Sequence, residues 1–255
     1  MSPDLTLALS LADAADAISL GRYGASDLLV ETKPDLTPVT EADRAVETAI
    51  RERLAVERPD DGLLGEEFGA LGGGNRRWIV DPIDGTRNYS RGIPVWATLI
   101  ALVEDGEFRL GVVSAPALHR RWHAERGGGA WVNDDRIRVS AVRQIEDAVL
   151  SFALEQPIPA LATYAWHARG YGDFWAHMLV AEGAVDGAVD AVGVKVWDLA
   201  AIQPIVEEAG GRFTDAAGVA RADGGTAISS NGHLHDALLE AVRGEGEPHP
   251  APHLP

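Results

Sequence analysis

Residues 78–84 read Trp-Ile-Val-Asp-Pro-Ile-Asp, followed by Gly85 and Thr86. Trp78, Ile79 and Val80 form an apolar run that reads as a buried strand. Asp81 stands where that strand is expected to end, because Pro82 fixes its own φ and drives the preceding residue out of the helical region. Asp84 comes three residues later, so one tight turn carries two carboxylates with backbone N–H groups behind them. Carboxylates gather a hard cation and exposed N–H groups gather a phosphate, so a turn with both points to metal-assisted phosphate chemistry. Asp-Gly is also a common turn pair, and the turn alone leaves both readings open.

The rest of the chain limits what can surround this turn. With 255 residues, 46% of them hydrophobic and 24% charged, it can bury a substantial core. No apolar run approaches the roughly 20 residues needed to span a membrane. Met1-Ser2-Pro3-Asp4 lacks the basic start of a secretory signal. The absence of cysteine excludes disulfides and thiolate metal ligands. Together these fit a cytoplasmic protein. The formal net charge of −17 argues against non-specific nucleic-acid binding. A field of that sign repels a phosphate ester, and bound cations reverse it locally. The charge balance therefore favours a metal site over an arginine-lined one.

Periodicity predicts a helix over 4–20, a loop over 32–39, and a second helix from an N-cap at Thr40 to about Val56. Gly69 to Asn75, with three consecutive glycines, reads as a mobile exposed loop. It is a candidate lid over Glu66-Glu67 or a passive connector. Short strands are expected at 96–103, 108–113, 120–124, 130–132 and 136–140. From about residue 147 the pattern alternates: strands at 148–153, 185–190 and 226–230, helices at 173–182, 197–209 and 232–243. We read residues 1–140 as an α+β half, 141–243 as an α/β half fused to it in one layered unit, and 244–255 as a disordered tail.

Several acidic residues have both a plain and a functional reading. Glu66-Glu67 is a solvated pair or a ligand pair. Asp198 caps a helix or binds an ion. Asp43, three residues after Thr40, completes a capping box or serves catalysis.

Taken together these residues form a pattern. Leu-Gly-Glu-Glu at 64–67, Trp-Ile-Val-Asp-Pro-Ile-Asp-Gly-Thr-Arg-Asn-Tyr at 78–89 and Val-Trp-Asp-Leu-Ala-Ala at 196–201 resemble signatures of the inositol monophosphatase family. Pro-Val-Thr-Glu-Ala-Asp at 38–43, Gly-Val-Val-Ser-Ala-Pro at 111–116, Ala-Glu-Arg-Gly-Gly-Gly-Ala at 124–130 and Val-Ala-Glu-Gly-Ala-Val-Asp at 180–186 extend the likeness from about residue 4 to 243. The resemblance implies a layered αβαβα fold, shared with fructose-bisphosphatases, and a Mg²⁺-dependent phosphomonoesterase, with Mn²⁺ as a substitute ion and inhibition by Li⁺. Carried over, one metal takes Glu66, Asp81 and the Ile83 carbonyl. A second takes Asp81, Asp84 and Asp198, and Glu67 helps hold a third. Asp43 and Thr86 orient or deprotonate the attacking water, and the Gly85 and Thr86 N–H groups hold phosphate oxygens. Relatives of this type are dimeric, so a homodimer is expected.

The same resemblance leaves the alcohol of the ester open among inositol, sugar, nucleotide and histidinol phosphates. The substrate side is expected around Arg169, Gly172 and Asp173, and near Asp190. Asp173 stands where inositol phosphatases commonly carry Ser or Thr. Two carboxylates facing the alcohol favour a cationic group, and segments 94–102, 114–122 and 170–173 resemble the actinobacterial histidinol-phosphate phosphatases of this family. Asp173 as a helix N-cap is the plain alternative. Residues 154–168, with Pro157 and Pro159, replace a longer helical stretch of many relatives, at the border of the substrate side and the subunit interface.

Overall fold

The computed structural model describes residues 1–153 and 160–244. Helix α1 (Pro3–Arg22) starts at Ser2, whose hydroxyl accepts from the Leu5 N–H. A hairpin of β1 (Val30–Thr32) and β2 (Pro38–Thr40) leads into α2 (Glu41–Glu57). Then come β3 (Gly62–Gly65), β4 (Gly69–Leu71), β5 (Arg76–Asp84) and the short α3 (Thr86–Ser90). A meander follows: β6 (Ala97–Glu104), β7 (Glu107–Ala115), β8 (Arg120–Glu125), β9 (Gly129–Val132) and β10 (Asp135–Ile137). The second half runs β11 (Val149–Phe152), β12 (His167–Arg169), α4 (Asp173–Ala181), β13 (Gly187–Asp190), α5 (Val196–Leu199), α6 (Ile202–Glu208), β14 (Arg212–Thr214), β15 (Ala227–Ser230) and α7 (His235–Arg243).

Strands form an eight-stranded sheet, β10-β9-β8-β7-β6-β5-β3-β4, and a five-stranded one, β12-β11-β13-β15-β14. Alternation along the first sheet builds two cores. Trp78, Val80, Ile100 and Leu102 face α1 and α2. Ile79, Leu99, Ala101 and Val113 face α4 and α6. The outer side of α4, through Ala176 and Val180, meets Ala188 of the second sheet. That sheet's other face packs Leu150, Val189 and Ile228 on Leu238 and Leu239 of α7. The layers are therefore helix, sheet, helix, sheet, helix, as expected, and both sheets rest on the shared middle helices. Trp96 and Trp122 are fully buried. No helix among the described residues is long and apolar enough to cross a membrane.

Four local expectations are corrected. Residues 69–71, expected within a loop, form an edge strand antiparallel to β3, because a three-residue extended piece suffices to satisfy the free side of β3. Residues 32–39 contain most of the β1–β2 hairpin; Pro38 is tolerated because this two-stranded ribbon has free edges. The helix over 197–209 is two helices. Pro204 has no N–H to give the Ala200 carbonyl, and the break falls one turn before it. The strand through Trp78 does not stop at Asp81; it continues to Asp84 through a register shift opposite β6. The Pro157–Pro159 departure and the tail from residue 245 onward lie outside the described residues.

Candidate active site

The register shift in β5 shapes the site. Pro82 cannot donate to the ladder, and its carbonyl instead accepts from Thr98 Oγ1 at 2.8 Å. Asp81 and Asp84 therefore stay close while the strand bends between them. Gly85 follows at φ +81°, and a Cβ there would lie 2.9 Å from the Val95 carbonyl oxygen, so the turn requires glycine. Helix α3 begins at Thr86. Its first N–H groups have no intrahelical acceptor and open beside the carboxylates.

Helix α5 brings the third acid. Asp198 is the third residue of α5 and not its N-cap, which is Lys195; its Oδ2 accepts from the Lys195 N–H at 2.7 Å and so ties the helix start from inside. Asp81, Asp84 and Asp198 each place one oxygen within 4.8 Å of the others. Asp84 Oδ2 also accepts from the Phe174 N–H at the start of α4, at 2.7 Å. Asp43 has the capping role foreseen for it and also meets Thr86. Its Oδ2 accepts from the Thr40 N–H at 2.9 Å in the capping box of α2, while Oδ1 accepts from Thr86 Oγ1 at 3.1 Å. Thr86 Oγ1 lies 2.9 Å from the Ile83 carbonyl oxygen as well.

The electrostatics of this cluster are unfavourable without a cation. Burial, then the charges of Glu66, Asp84, Asp198 and Asp43, push the Asp81 carboxyl well above the usual range. Burial, Asp173 and Asp198 do the same to Asp84. Asp198 is pushed up to about 7, chiefly by burial. Asp43 and Glu67 are raised by burial first. Asp81 Oδ1 is buried with no hydrogen-bond partner among the described residues. An orphaned buried oxygen among mutually repelling carboxylates fits a divalent ion. The donor set is all oxygen, with no sulfur or imidazole, and suits a hard one.

Two residues that sequence reading missed complete the site. Lys33, in the turn of the β1–β2 hairpin, places Nζ 2.7 Å from Glu66 Oε1 and also contacts Glu67. Glu47, on α2, is fully buried. Its carboxylate accepts from the Glu67 N–H at 2.7 Å and the Phe68 N–H at 3.2 Å, and pairs with Arg51. It thereby fixes the turn that presents Glu66 and Glu67. Gly65 leaves room for it: a Cβ there would lie 2.0 Å from Glu47 Oε1. Gly65→Ala should therefore cost about 2–4 kcal/mol by overpacking and by unseating these hydrogen bonds. A lowered urea midpoint at unchanged m-value would register it.

The substrate-side residues are placed unevenly. Gly172 is the N-cap of α4 and Asp173 its first residue, so Asp173 stands one position too late to be the cap. Asp173 holds φ +48°, unusual for a non-glycine residue, and its Oδ2 accepts from Asn88 Nδ2 at 3.3 Å. It is close enough to act on Asp84 and Asp198 as a like charge. Asp190 is buried at 7% exposure, with Oδ2 2.9 Å from His177 Nε2. Arg169 is exposed on the edge strand β12 and bonds His167 at 2.8 Å. The contacts found for Asp190 and Arg169 do not join them to the acidic cluster.

Known proteins carry the same framework. The family model described as inositol monophosphatase family matches residues 1–247. A histidinol-phosphatase of Mycobacterium tuberculosis is 53% identical over 92% of this chain and 96% of its own. One from Streptomyces coelicolor is 49% identical over 92% and 95%. The solved structure of the Thermotoga maritima IMPase superposes with a TM-score of 0.87 at 34% identity, covering 96% of this chain and 98% of that one. With the acidic turn, the Thr86–Asp43 hydrogen bond and the five layers all in place, the chain belongs to the inositol monophosphatase family.

Proposed function

We propose that this phosphatase hydrolyses L-histidinol phosphate to L-histidinol and phosphate, in histidine biosynthesis in the cytoplasm, using Mg²⁺. The reaction class rests on the family and on one observation: three carboxylates gathered within 4.8 Å beside the Thr86–Asp43 pair. Glu66, Asp81 and the Ile83 carbonyl would hold one ion, Asp81, Asp84 and Asp198 a second, and Glu67 part of a third. When bound, Mg²⁺ or its substitute Mn²⁺ supplies Lewis acidity at the phosphoryl oxygens and acidity to the attacking water.

The chain's own groups position and deprotonate. Thr86 Oγ1 accepts from the water and donates to Asp43 Oδ1, so the proton has a path to a carboxylate whose burial makes it a stronger base. The Gly85 and Thr86 N–H groups bind phosphate oxygens. The phosphorus–oxygen bond to the alcohol breaks opposite the entering water; the leaving oxygen takes a proton from a solvent water, and Asp43 returns the proton it accepted to solvent, so the net products are the alcohol and hydrogen phosphate.

Asp173 supports the substrate assignment. A strained carboxylate beside a like-charged cluster raises the energy of the empty site, and a cationic alcohol moiety relieves it. Gly172 gives the turn its freedom. Asp190 acts through His177 and Arg169 lies at the rim, and both are proposed as outer contributors to substrate binding. The assembly is proposed to be a homodimer, to be checked by light scattering.

The test is kcat/KM for histidinol phosphate against inositol 1-phosphate and fructose 1,6-bisphosphate. Histidinol phosphate should win, and preference for inositol phosphate by more than about tenfold would overturn the substrate. Asp173→Ser should raise KM for histidinol phosphate by about tenfold, the worth of one charged hydrogen bond, and for a neutral ester far less. Equal effects would mean that Asp173 does not read the cation.

A further inference from the structure

Strand β13 leads back to the substrate end of α4. The turn between them closes the far end, where the Ala184 and Val185 N–H groups both donate to the Leu179 carbonyl, at 3.0 and 3.1 Å. Ala176 and Val180 of α4 then pack beside Ala188 of β13. The strand therefore ends, at Asp190, towards the start of the helix. That start carries Asp173 and the Phe174 N–H that meets Asp84. His177 lies one turn after Asp173.

Three side chains form a line here. Ser229 of β15, opposite Ala188, places Oγ 2.7 Å from His177 Nδ1, and His177 Nε2 lies 2.9 Å from Asp190 Oδ2. The carboxylate accepts, so Nε2 carries a hydrogen, and the Ser229 hydroxyl, which turns to suit, fixes the ring at Nδ1. Ser229 and His177 have no exposed surface, and only Asp190 reaches solvent. Its second oxygen, Oδ1, makes no hydrogen bond among the described residues and is not sealed off. The composition resembles a hydrolase triad, but the order of exposure is reversed: the serine is the buried end and the carboxylate the open one, so no nucleophile is presented. The order suits a support. Ser229 holds the ring, the ring holds one carboxylate oxygen, and the other is left for a ligand.

We propose that His177 is a positioning residue for substrate recognition: anchored by Ser229, it fixes Asp190 so that Oδ1 accepts from a donor on the outer part of the alcohol. The proposal rests on the reading that the alcohol lies at the Asp173 end of α4. It adds that two carboxylates meet the alcohol from one helix, one carried by its first residue and one held by its imidazole.

The test is steady-state kinetics with histidinol phosphate and with p-nitrophenyl phosphate, whose alcohol offers no hydrogen-bond donor. Asparagine at 177 places its amide near the position of Nδ1, and glutamine near that of Nε2. His177→Asn, which gives up the bond to Asp190, should raise KM for histidinol phosphate about fivefold or more and leave both kcat values and KM for p-nitrophenyl phosphate within about twofold. His177→Gln, which keeps that bond, should restore KM for histidinol phosphate to within about twofold of the wild type. Asp190→Asn should raise it at least as much as His177→Asn does, and the double variant should show no further rise. Should His177→Asn fail to fold, Ser229→Ala carries the test, with KM for histidinol phosphate raised about two- to fivefold and p-nitrophenyl phosphate unaffected. A change shared equally by both esters, a His177→Gln variant as impaired as His177→Asn, a silent Asp190→Asn, or full additivity of the two substitutions would each overturn the proposal. A silent Asp190→Asn beside a selective Asp173→Ser leaves the substrate reading standing. A wild type that prefers inositol 1-phosphate overturns that reading instead, and the same pattern of variants, measured with that ester, then decides the role of His177.

Discussion

Asp84→Asn should lower kcat/KM by more than about a hundredfold, beyond what supporting partners of a metal ligand are worth, while raising the melting temperature of the metal-free protein. The two effects have one cause. Asp84 is held among like charges, with Asp173 and Asp198 both pushing its carboxyl upward. The amide removes that repulsion and keeps an oxygen to accept from the Phe174 N–H, now 2.7 Å away. Relief on the order of 1 kcal/mol corresponds to about 2–4 °C in a chain of this size. The neutral oxygen is a poor ligand for a hard cation, so the ion meant for Asp81, Asp84 and Asp198 is held weakly. Melting curves in EDTA together with turnover at saturating Mg²⁺ check both halves. Undiminished turnover would remove Asp84 from the ligand set, and a lower melting temperature would make it a structural residue.

That opposition between stability and chemistry explains which parts of the site were legible in the sequence. Asp81, Asp84 and Asp198 break the rule that buried charges are paired, and a chain puts carboxylates after a Trp-Ile-Val strand for few reasons. Thr40 and Asp43 were legible because a capping box is local in sequence. Its second use, the hydrogen bond from Thr86, is a contact across 43 residues and leaves no local mark. Glu47 was hidden for a related reason. A glutamate four residues before Arg51 reads as a solvated helix pair, yet tertiary packing buries it beneath the Glu67 turn. Lys33 was hidden because β1 and β2 have three residues each and β1 is wholly exposed, so neither shows an apolar alternation. The expectation for Asp190 came from family position alone. Its pairing with His177 joins β13 to α4, and no spacing in the chain announces it. The layered fold was legible because Trp78/Val80 and Ile79 alternate between two cores. What alternation does not carry is where a strand continues past a proline, and the register shift at Pro82 needed the ladder with β6.

In EDTA, stability should fall as pH rises from about 4 to about 7, and Mg²⁺ should restore more of it at pH 8 than at pH 5. Asp198 sets the window, with its carboxyl pushed up to about 7 in the folded chain against an ordinary value of about 3.9. An acid whose pKa is raised by folding holds its proton more tightly when folded. Its contribution is therefore fully present below the ordinary value and is lost as pH climbs through the raised one. The whole shift is worth about 4 kcal/mol, and solvent screening at the partly exposed Asp198 reduces this to about 1–2 kcal/mol. Divalent ions bind the deprotonated cluster and displace its protons, so their stabilisation grows over the same interval. Other carboxylates titrate in this range too, and the measurement is therefore the difference in EDTA between the wild type and Asp198→Asn. The variant should lose the downward slope contributed by Asp198 and should show a smaller Mg²⁺ increment at pH 8. Parallel pH profiles for the two proteins, or an Mg²⁺ increment that does not change with pH, would mean that Asp198 neither shares the cluster's protons nor meets the ion that replaces them.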